Sequence, residues 1–484
     1  MSFRCKSVAV IGAGISGVVA AAHLQREGIE VTVFERSSAA GGIWLYDERQ
    51  PLEPPYPRTK VCRADSVHAI EETEITERLL HAPPGPCYVG LKNNVSTRLL
   101  ETTLNPFPPG TEDYVTHQVL CDYIQATAAS TGVHGLTQYD TDVRHVTKNG
   151  KSWTVETVTL QIDLDGALKR HVSSRDFDAV VIASGHYHTP RVPDTPGLAE
   201  WKRRFPDRVQ HSKSYRRPEN AQDKNYLLVG ASVSATDIAR ELSPYAKRIL
   251  QSQRNGKFDL PPSMLPENAF RIEEVVSYDE PRAESLDPDE AIPATVTLKS
   301  GAKICDIHHV ILCTGYFLTL PFLPQLSSDE TPVELADDAV LMTDGTQFHN
   351  LHKDIFYIND PTLAFVGVPF FTATFTLFEF QAMVVAKVLS GQSKLPSKDA
   401  MRAEYDARVN SKGYGKAFHS LRDQEASYVN ELMDWVNVDL EAAGKDKLHG
   451  HSEKWHRARA EQLERMKAFF VNPETEKRFE ATCI

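Results

Sequence analysis

The chain has 484 residues, 41% hydrophobic and 24% charged, which suits a folded protein of about three domains or subdomains and excludes disorder, collagen and coiled coil for most of its length. Its 53 Lys and Arg against 65 Asp and Glu leave a net charge of −12, so neither nucleic acid nor an anionic membrane is an expected partner. Seven scattered cysteines (Cys5, Cys62, Cys87, Cys121, Cys305, Cys313, Cys483) form no C-x-x-C pair, which speaks for a reducing compartment and against a disulfide framework or zinc ribbon.

Met1 to Lys6 run straight into a strand-like segment, leaving no room for a signal peptide, so a cytoplasmic location is expected. The stretch Val8-Ala9-Val10-Ile11-Gly12-Ala13-Gly14-Ile15-Ser16-Gly17 is an apolar strand feeding a G-x-G-x-x-G turn, and Val18 to Arg26 reads as a helix. Gly12 permits the tight turn, Gly14 lets backbone amides approach a pyrophosphate, and Gly17 lets helix and strand pack closely. The helix N-terminus adds a favourable dipole for the phosphates. A second strand, Glu30 to Phe34, ends at Glu35, a carboxylate 21 residues after Gly14 that can accept hydrogen bonds from a ribose diol.

A degraded second copy follows at Tyr226-Leu227-Leu228-Val229-Gly230-Ala231-Ser232-Val233-Ser234-Ala235, with a helical stretch Thr236 to Leu242. Gly230, Ser232 and Ala235 keep close backbone approach in weakened form. The next strand, Arg248 to Gln251, leads to Arg254, 22 residues after Ser232. An arginine where the first copy has an acid suits a 2′-phosphate, so NADPH is expected here and FAD at the Glu35 site.

Two further segments match each other: Asp178 to Gly185 and His309 to Tyr316, each an apolar strand ending in a small residue and glycine. The fold expected is α/β, with two Rossmann-like dinucleotide-binding domains, the NADPH domain inserted into the FAD domain. The expected boundaries are 1–195, 196–320 and 321–484, with chain crossings near Gly185–Pro196 and Gly315–Pro324. The longest uncharged run, Pro361 to Phe378, is eighteen residues. Its prolines, glycine and threonines read as strand, turn and helix start rather than a membrane span. Phe370, Phe371, Phe375 and Phe378 within it either line an apolar pocket or pack a core. Beyond Lys398 the chain reads as helical, with Tyr428, Leu432, Trp435, Val436 and Leu440 at near-helical spacing. The tail Ala481 to Ile484 is not a prenylation box.

On these motifs the chain resembles the class B flavin monooxygenases, in their flavin-containing, N- or S-oxidising branch and among its soluble microbial or fungal members. The family's F-x-G-x-x-x-H-x-x-x-Y/F is similar to Phe205 through His211 to Tyr215, with Asp207 in place of glycine. Cys313-Thr314-Gly315-Tyr316 resembles A-T-G-Y, and Gly41-Gly42-Ile43-Trp44 resembles G-G-x-W after the FAD acid. Tyr88 to Asn94 resembles Y-x-x-L-x-T-N, and Phe365 to Pro369 with Gln381 resembles the closing FAD-side segment.

The resemblance implies that NADPH reduces FAD, that dioxygen forms a flavin C4a-hydroperoxide, and that a small amine or sulfide takes the oxygen. It implies Asn94 as the catalytic amide, with Asn93 the alternative if the register slips by one. It implies a cofactor-binding set of Gly12, Gly14, Gly17, Glu35, Arg36, Gly42, Trp44, Gly230, Ser232, Ser234, Arg254, His211, Tyr215, Thr314, Gly315 and Gln381, and no metal. Where the family has Asn-Ser-Gly, this chain has Val233-Ser234-Ala235, so looser coupling of NADPH oxidation to oxygenation is expected. The His186/His188 and His449/His451 pairs read as solvated or core histidines. Competing readings are a Baeyer–Villiger enzyme, against which Tyr215 argues, a flavin disulfide reductase using a pair such as Cys62 and Cys87, and a non-catalytic nucleotide sensor. Homodimer formation is left open.

Overall fold

The protein was described from a computed structural model covering residues 4–61, 73–163, 165–282, 286–287 and 289–470. Cys62, Cys483 and the tail Ala481 to Ile484 lie outside the described residues.

The elements that build the first sheet are β1 (Ser7–Ile11), β2 (Glu30–Phe34), β3 (Thr137–Gln138), β7 (Ala179–Ile182), β13 (Leu351–His352), β14 (Phe356–Tyr357) and β15 (Leu363–Phe365), in the spatial order β13-β14-β15-β7-β1-β2-β3. All pairs from β15 to β3 are parallel, while β13, β14 and β15 pair antiparallel. Strand β1 explains the layering. Val8 and Val10 point into one core with the helices, and Ala9 and Ile11 point into another with Val146, Trp153 and Phe177. A strand buried on both faces reads as an uninterrupted apolar run, as Val8 to Ile11 does.

The helical face carries α1 (Ile15–Arg26), α2 (His117–Ser130) and α4 (Thr374–Leu389). Residues 15 to 24 of α1 are all buried, because the helix lies between the sheet and α4. Its Ala20-Ala21-Ala22 run keeps that approach close. Glu379 on α4 is 1% exposed. Its carboxylate is satisfied by His23 Nε2 at 3.2 Å, Thr103 N–H at 2.8 Å and the Thr103 hydroxyl at 2.6 Å. The opposite face is covered by an antiparallel meander, β4 (Thr141–Asn149), β5 (Ser152–Ile162) and β6 (Leu168–Phe177), which no motif in the sequence announces.

The second sheet comprises β8 (Val209–His211), β9 (Asn225–Val229), β10 (Arg248–Ser252), β11 (Ala269–Ile272) and β12 (His309–Leu312), in the order β11-β10-β9-β12-β8. It is parallel throughout. Helix α3 (Val233–Leu242) follows the second glycine turn. This unit lies between the two parts of the first sheet in chain order, so the expected inserted architecture is the one observed. The two passes of chain joining the units pair with each other, Tyr316 opposite Pro190 and Phe317 opposite Thr189.

Three C-terminal helices complete the described residues: α5 (Lys398–Lys412), α6 (Glu425–Ala442) and α7 (Glu453–Phe470). Leu432, Val436 and Leu440 of α6 are fully buried, as their spacing predicts. Arg408 of α5 grips Asp354 through two bonds of 2.7 and 2.6 Å, and His419 reaches the same carboxylate at 2.7 Å. Although burial opposes it, Arg408 and His419 together hold Asp354 well below the usual carboxylate range. Among the described residues no helix is long and apolar enough to cross a membrane.

Candidate active site

Both glycine turns open onto one cleft of about 3630 Å³ between the two sheets. At each turn the first glycine adopts a left-handed φ, +103° at Gly12 and +119° at Gly230. A side chain at Gly12 would come within 2.7 Å of the Ala183 carbonyl, and one at Gly230 within 2.5 Å of the Cys313 carbonyl. Ala183 and Cys313 directly follow β7 and β12, the neighbours of β1 and β9. The matched segments 178–185 and 309–316 therefore have the same job, pressing against their turn. Gly17 does not line the cleft. It faces inward, where a Cβ would sit 1.8 Å from the Gly12 carbonyl.

The first turn fits a dinucleotide. Gly14 faces the cleft just ahead of α1, with only Gly42 Cα within 3.5 Å of where its Cβ would be. Glu35 is 8% exposed, and its carboxylate accepts the Ala13 N–H at 2.6 Å and the Ser37 N–H at 2.8 Å. These bonds tie the acid at the end of β2 to the turn after β1 and aim it into the cleft. Arg36, Gly42 and Trp44 line the same end. Arg36 Nη2 lies 2.6 Å from His188 Nδ1, while His188 Nε2 donates to the Ser184 carbonyl at 2.7 Å. Burial first, then Arg36 and Lys213, push His188 well below the ordinary histidine range, so the ring is neutral and accepts from Arg36. His188 is thus a cleft-lining residue that orders Arg36, not a bystander.

The second turn presents Gly230, Ser232 and Ser234 to the cleft, together with the exposed Val233. Ala235 is fully buried under them, where the family has glycine. Arg254 lines this end and is exposed. Two cations not singled out from the sequence join it, Arg191 and Lys416. Burial, then Arg254, depress the Arg191 guanidinium, and burial, then Arg191 and Arg254, depress the Lys416 ammonium. Like charges gathered in this way are the donor set that would hold a 2′-phosphate. Lys416 carried one local signal, its place in Gly413-Tyr414-Gly415-Lys416 between two helices; Arg191 carried none.

Besides Gly17, three expected cofactor contacts lie behind the lining. His211 is 0% exposed; its Nδ1 accepts the Lys213 N–H at 3.1 Å and its Nε2 donates to the Gly315 carbonyl at 3.2 Å. Burial holds its pKa down to about 3, so it is a neutral brace on the chain crossing. Gly315 and Thr314 do line the cleft, and the Thr314 hydroxyl donates to the Arg191 carbonyl at 2.5 Å. Tyr215 packs edge-on against Tyr88 at 5.4 Å, and the Tyr88 hydroxyl donates to Asp237 of α3. Tyr215 thus packs one unit against the other and does not line the cleft. Gln381 is also 0% exposed; it accepts the Gly367 N–H at 3.0 Å and donates to the Tyr428 hydroxyl at 2.8 Å. It acts through Gly367, which lines the cleft.

The geometry separates Asn93 from Asn94. The Asn93 amide is 5% exposed; it donates to the Val95 and Asp113 carbonyls at 2.7 Å each and accepts the Val115 N–H at 2.6 Å. It also lines the cleft, but both its N–H groups are committed to closing the loop. Asn94 is exposed and lines the cleft, and its side chain has no hydrogen-bond partner among the described residues. Phe370, Phe371, Phe375 and Phe378 meet both expectations: all four line the cleft, with Phe375 and Phe378 also buried in the helical core. Phe371 and Phe370 meet Phe258 of the second unit at 5.2 and 5.9 Å. The segments at Pro51–Pro55 and Met264 border the same cleft.

The flavin-binding monooxygenase-like family matches residues 86–270 and 289–443, and an NAD(P)-binding Rossmann-like domain matches residues 10–59. Flavin-containing monooxygenase ustF2 of Aspergillus flavus is 47% identical over 473 residues, covering 93% of this chain and 96% of that protein. Flavin-containing monooxygenase iboF of Amanita muscaria is 30% identical over 477 residues, covering 89% and 88%. Among solved structures, the S-allyl-L-cysteine S-oxygenase of Allium sativum superposes with a TM-score of 0.71 at 25% identity, covering 99% of this chain and 97% of that one. Two glycine turns on one cleft, braced by the family's own motif and matched along most of the chain, lead to one conclusion: the chain belongs to the flavin-binding monooxygenase-like family, with FAD and NADPH as its cofactors.

Proposed function

We propose that the protein is an NADPH- and dioxygen-dependent monooxygenase that oxygenates a nucleophilic nitrogen or sulfur of a small molecule. The observation that carries this is the single cleft shared by both glycine turns, with the exposed Asn94 on its wall. When bound, FAD reduced by NADPH supplies the oxygen activation. The chain's own residues bind, orient and shield. Gly12, Gly14 and Glu35 would hold FAD; Gly230, Ser232, Ser234 and the Arg191, Arg254 and Lys416 cluster would hold NADPH. Asn94 is the catalytic amide in this reading, able to donate and accept without supplying a proton. Trp44, Phe375 and Phe378 exclude water from its side of the cleft. Val233 brings a methyl-bearing surface where the family has an amide, which supports looser coupling.

The domain boundaries that go with this reading are 195/196 and 320/321, close to the paired crossings at Thr189–Pro190 and Tyr316–Phe317. The likeness to the S-allyl-L-cysteine S-oxygenase of Allium sativum adds support for sulfur as an acceptor. A disulfide-reductase reading draws no support from Cys313, the described cysteine that lines the cleft: burial pushes its thiol up to about 12, so it is a poor thiolate. The test is a product screen on the yellow holoenzyme with NADPH in air, offering an amine, a sulfide and a cyclic ketone. N- or S-oxide formation with flavin bleaching is expected. Lactone as the main product, or NADPH binding without bleaching, would overturn the proposal.

A further inference from the structure

Helix α7 closes the Asn94 side of the cleft. It packs on Leu99 and Ala373 through Trp455 and Ala458, and it approaches the Pro262–Met264 turn of the second unit. Its cations are largely neutralised. Lys454 pairs with Glu101 at 2.9 Å, Arg465 with Asp113 at 3.3 Å and Lys467 with Glu464 at 2.6 Å. Arg459 is the exception on the cleft side: it lines the cleft, is half-buried, and has no hydrogen bond or ion pair among the described residues. The acid that feels its charge is Glu425, which accepts the Ala373 N–H at 2.8 Å and lies 3.6 Å from His451. Burial pushes Glu425 up to about 7, so it does not supply a full counter-charge.

One turn further along, Gln462 also lines the cleft at 7% exposure. Its Nε2 donates to the Asn94 carbonyl at 3.4 Å, while its buried Oε1 has no partner. Thr372, beside Ala373, lines the cleft at 8% exposure with its hydroxyl likewise unpartnered. An unsatisfied buried acceptor is unfavourable unless a ligand fills it. A lone cation, an empty acceptor one turn along the same helix beside the Asn94 backbone, and a free hydroxyl on the same cleft wall together ask for a ligand with a negative charge and an adjacent N–H.

We propose that Arg459, Gln462 and Thr372 select amino-acid-type substrates, Arg459 binding the carboxylate and Gln462 Oε1 accepting from the neighbouring N–H. This rests on the monooxygenase reading and adds the substrate class to it. Calorimetric titration of the protein loaded with FAD and NADP⁺, without turnover, separates the two. S-benzyl-L-cysteine should bind about 10- to 100-fold tighter than its methyl ester, the range of one or two charge-assisted hydrogen bonds. Arg459→Gln should remove that preference by weakening the acid and not the ester, and Arg459→Lys should restore part of it. Equal binding of acid and ester, no heat from the acid, or a preference surviving in Arg459→Gln would each overturn the assignment. If Arg459→Gln melts early, the wild-type comparison of acid with ester decides alone. Oxygenation of benzyl methyl sulfide, which has neither group, tests the parent reading independently.

Discussion

Gly14 and Gly17 belong to the same motif, yet the structure gives them different reasons for being glycine, and alanine substitutions should separate them. A Cβ at Gly17 would stand 1.8 Å from the Gly12 carbonyl. Ordinary contact begins near 3.4 Å, so α1 would have to move by about 1.6 Å. That helix is buried from Ile15 to Leu24, and such a shift strains a close-packed core by about 1–3 kcal/mol or more. Gly14 has φ −69° and ψ −178°, which any residue adopts, and its Cβ would meet only Gly42 Cα at 3.5 Å. Gly14→Ala should therefore leave the apoprotein's stability nearly unchanged. Its methyl group instead enters the cleft where backbone amides must approach the pyrophosphate. Losing one charge-assisted bond there weakens FAD binding about 10- to 150-fold. The assay is a melt of FAD-stripped protein by circular dichroism, with FAD affinity from flavin fluorescence quenching. Gly17→Ala should melt several degrees early; Gly14→Ala should melt normally and bind FAD weakly. Equal melting losses, or wild-type FAD affinity in Gly14→Ala, would refute this division of roles.

Arg254→Ala should raise the KM for NADPH about 10- to 100-fold with little change for NADH, and Lys416→Ala should do so to a lesser degree, both checked by steady-state flavin reduction. Asn94→Ala should melt normally but release more hydrogen peroxide per NADPH oxidised, whereas Asn93→Ala, which loses three hydrogen bonds, should lose about 1–3 kcal/mol by urea denaturation. Glu425 binds its proton more tightly in the folded chain, so its contribution to stability is fully present below its ordinary value of 4.5 and is lost as pH rises through about 7. Glu425→Gln should remove that loss, at most about 3 kcal/mol, and be the more stable protein at pH 8 in paired urea melts at pH 5 and 8.

Much of the nucleotide machinery was legible because it is local. Strand, glycine turn, helix and terminal residue follow one another within about thirty residues, so spacing alone brings Gly12, Gly14 and Glu35 together and does the same for Gly230, Ser232 and Arg254. The duplicated strand ends at Ala183 and Cys313 carried the pairing of the two units for the same reason. Motif likeness was less informative about what a residue touches. His211, Tyr215 and Gln381 belong to family signatures, yet they brace Gly315, Tyr88 and Gly367 from behind the cleft.

The sequence by itself determined the class of the fold, the two dinucleotide turns and the charge preference of each, since these depend on residues close in the chain and on backbone rules that act locally. Only the tertiary structure decided which amide is left unpaired in the cleft, which cations join Arg254, and what covers the Asn94 side. Those choices bring together residues as far apart as Asn94 and Gln462, or Arg191 and Lys416. No periodicity encodes such meetings; they follow from how α7 and the paired crossings settle on surfaces that exist only once both sheets have formed.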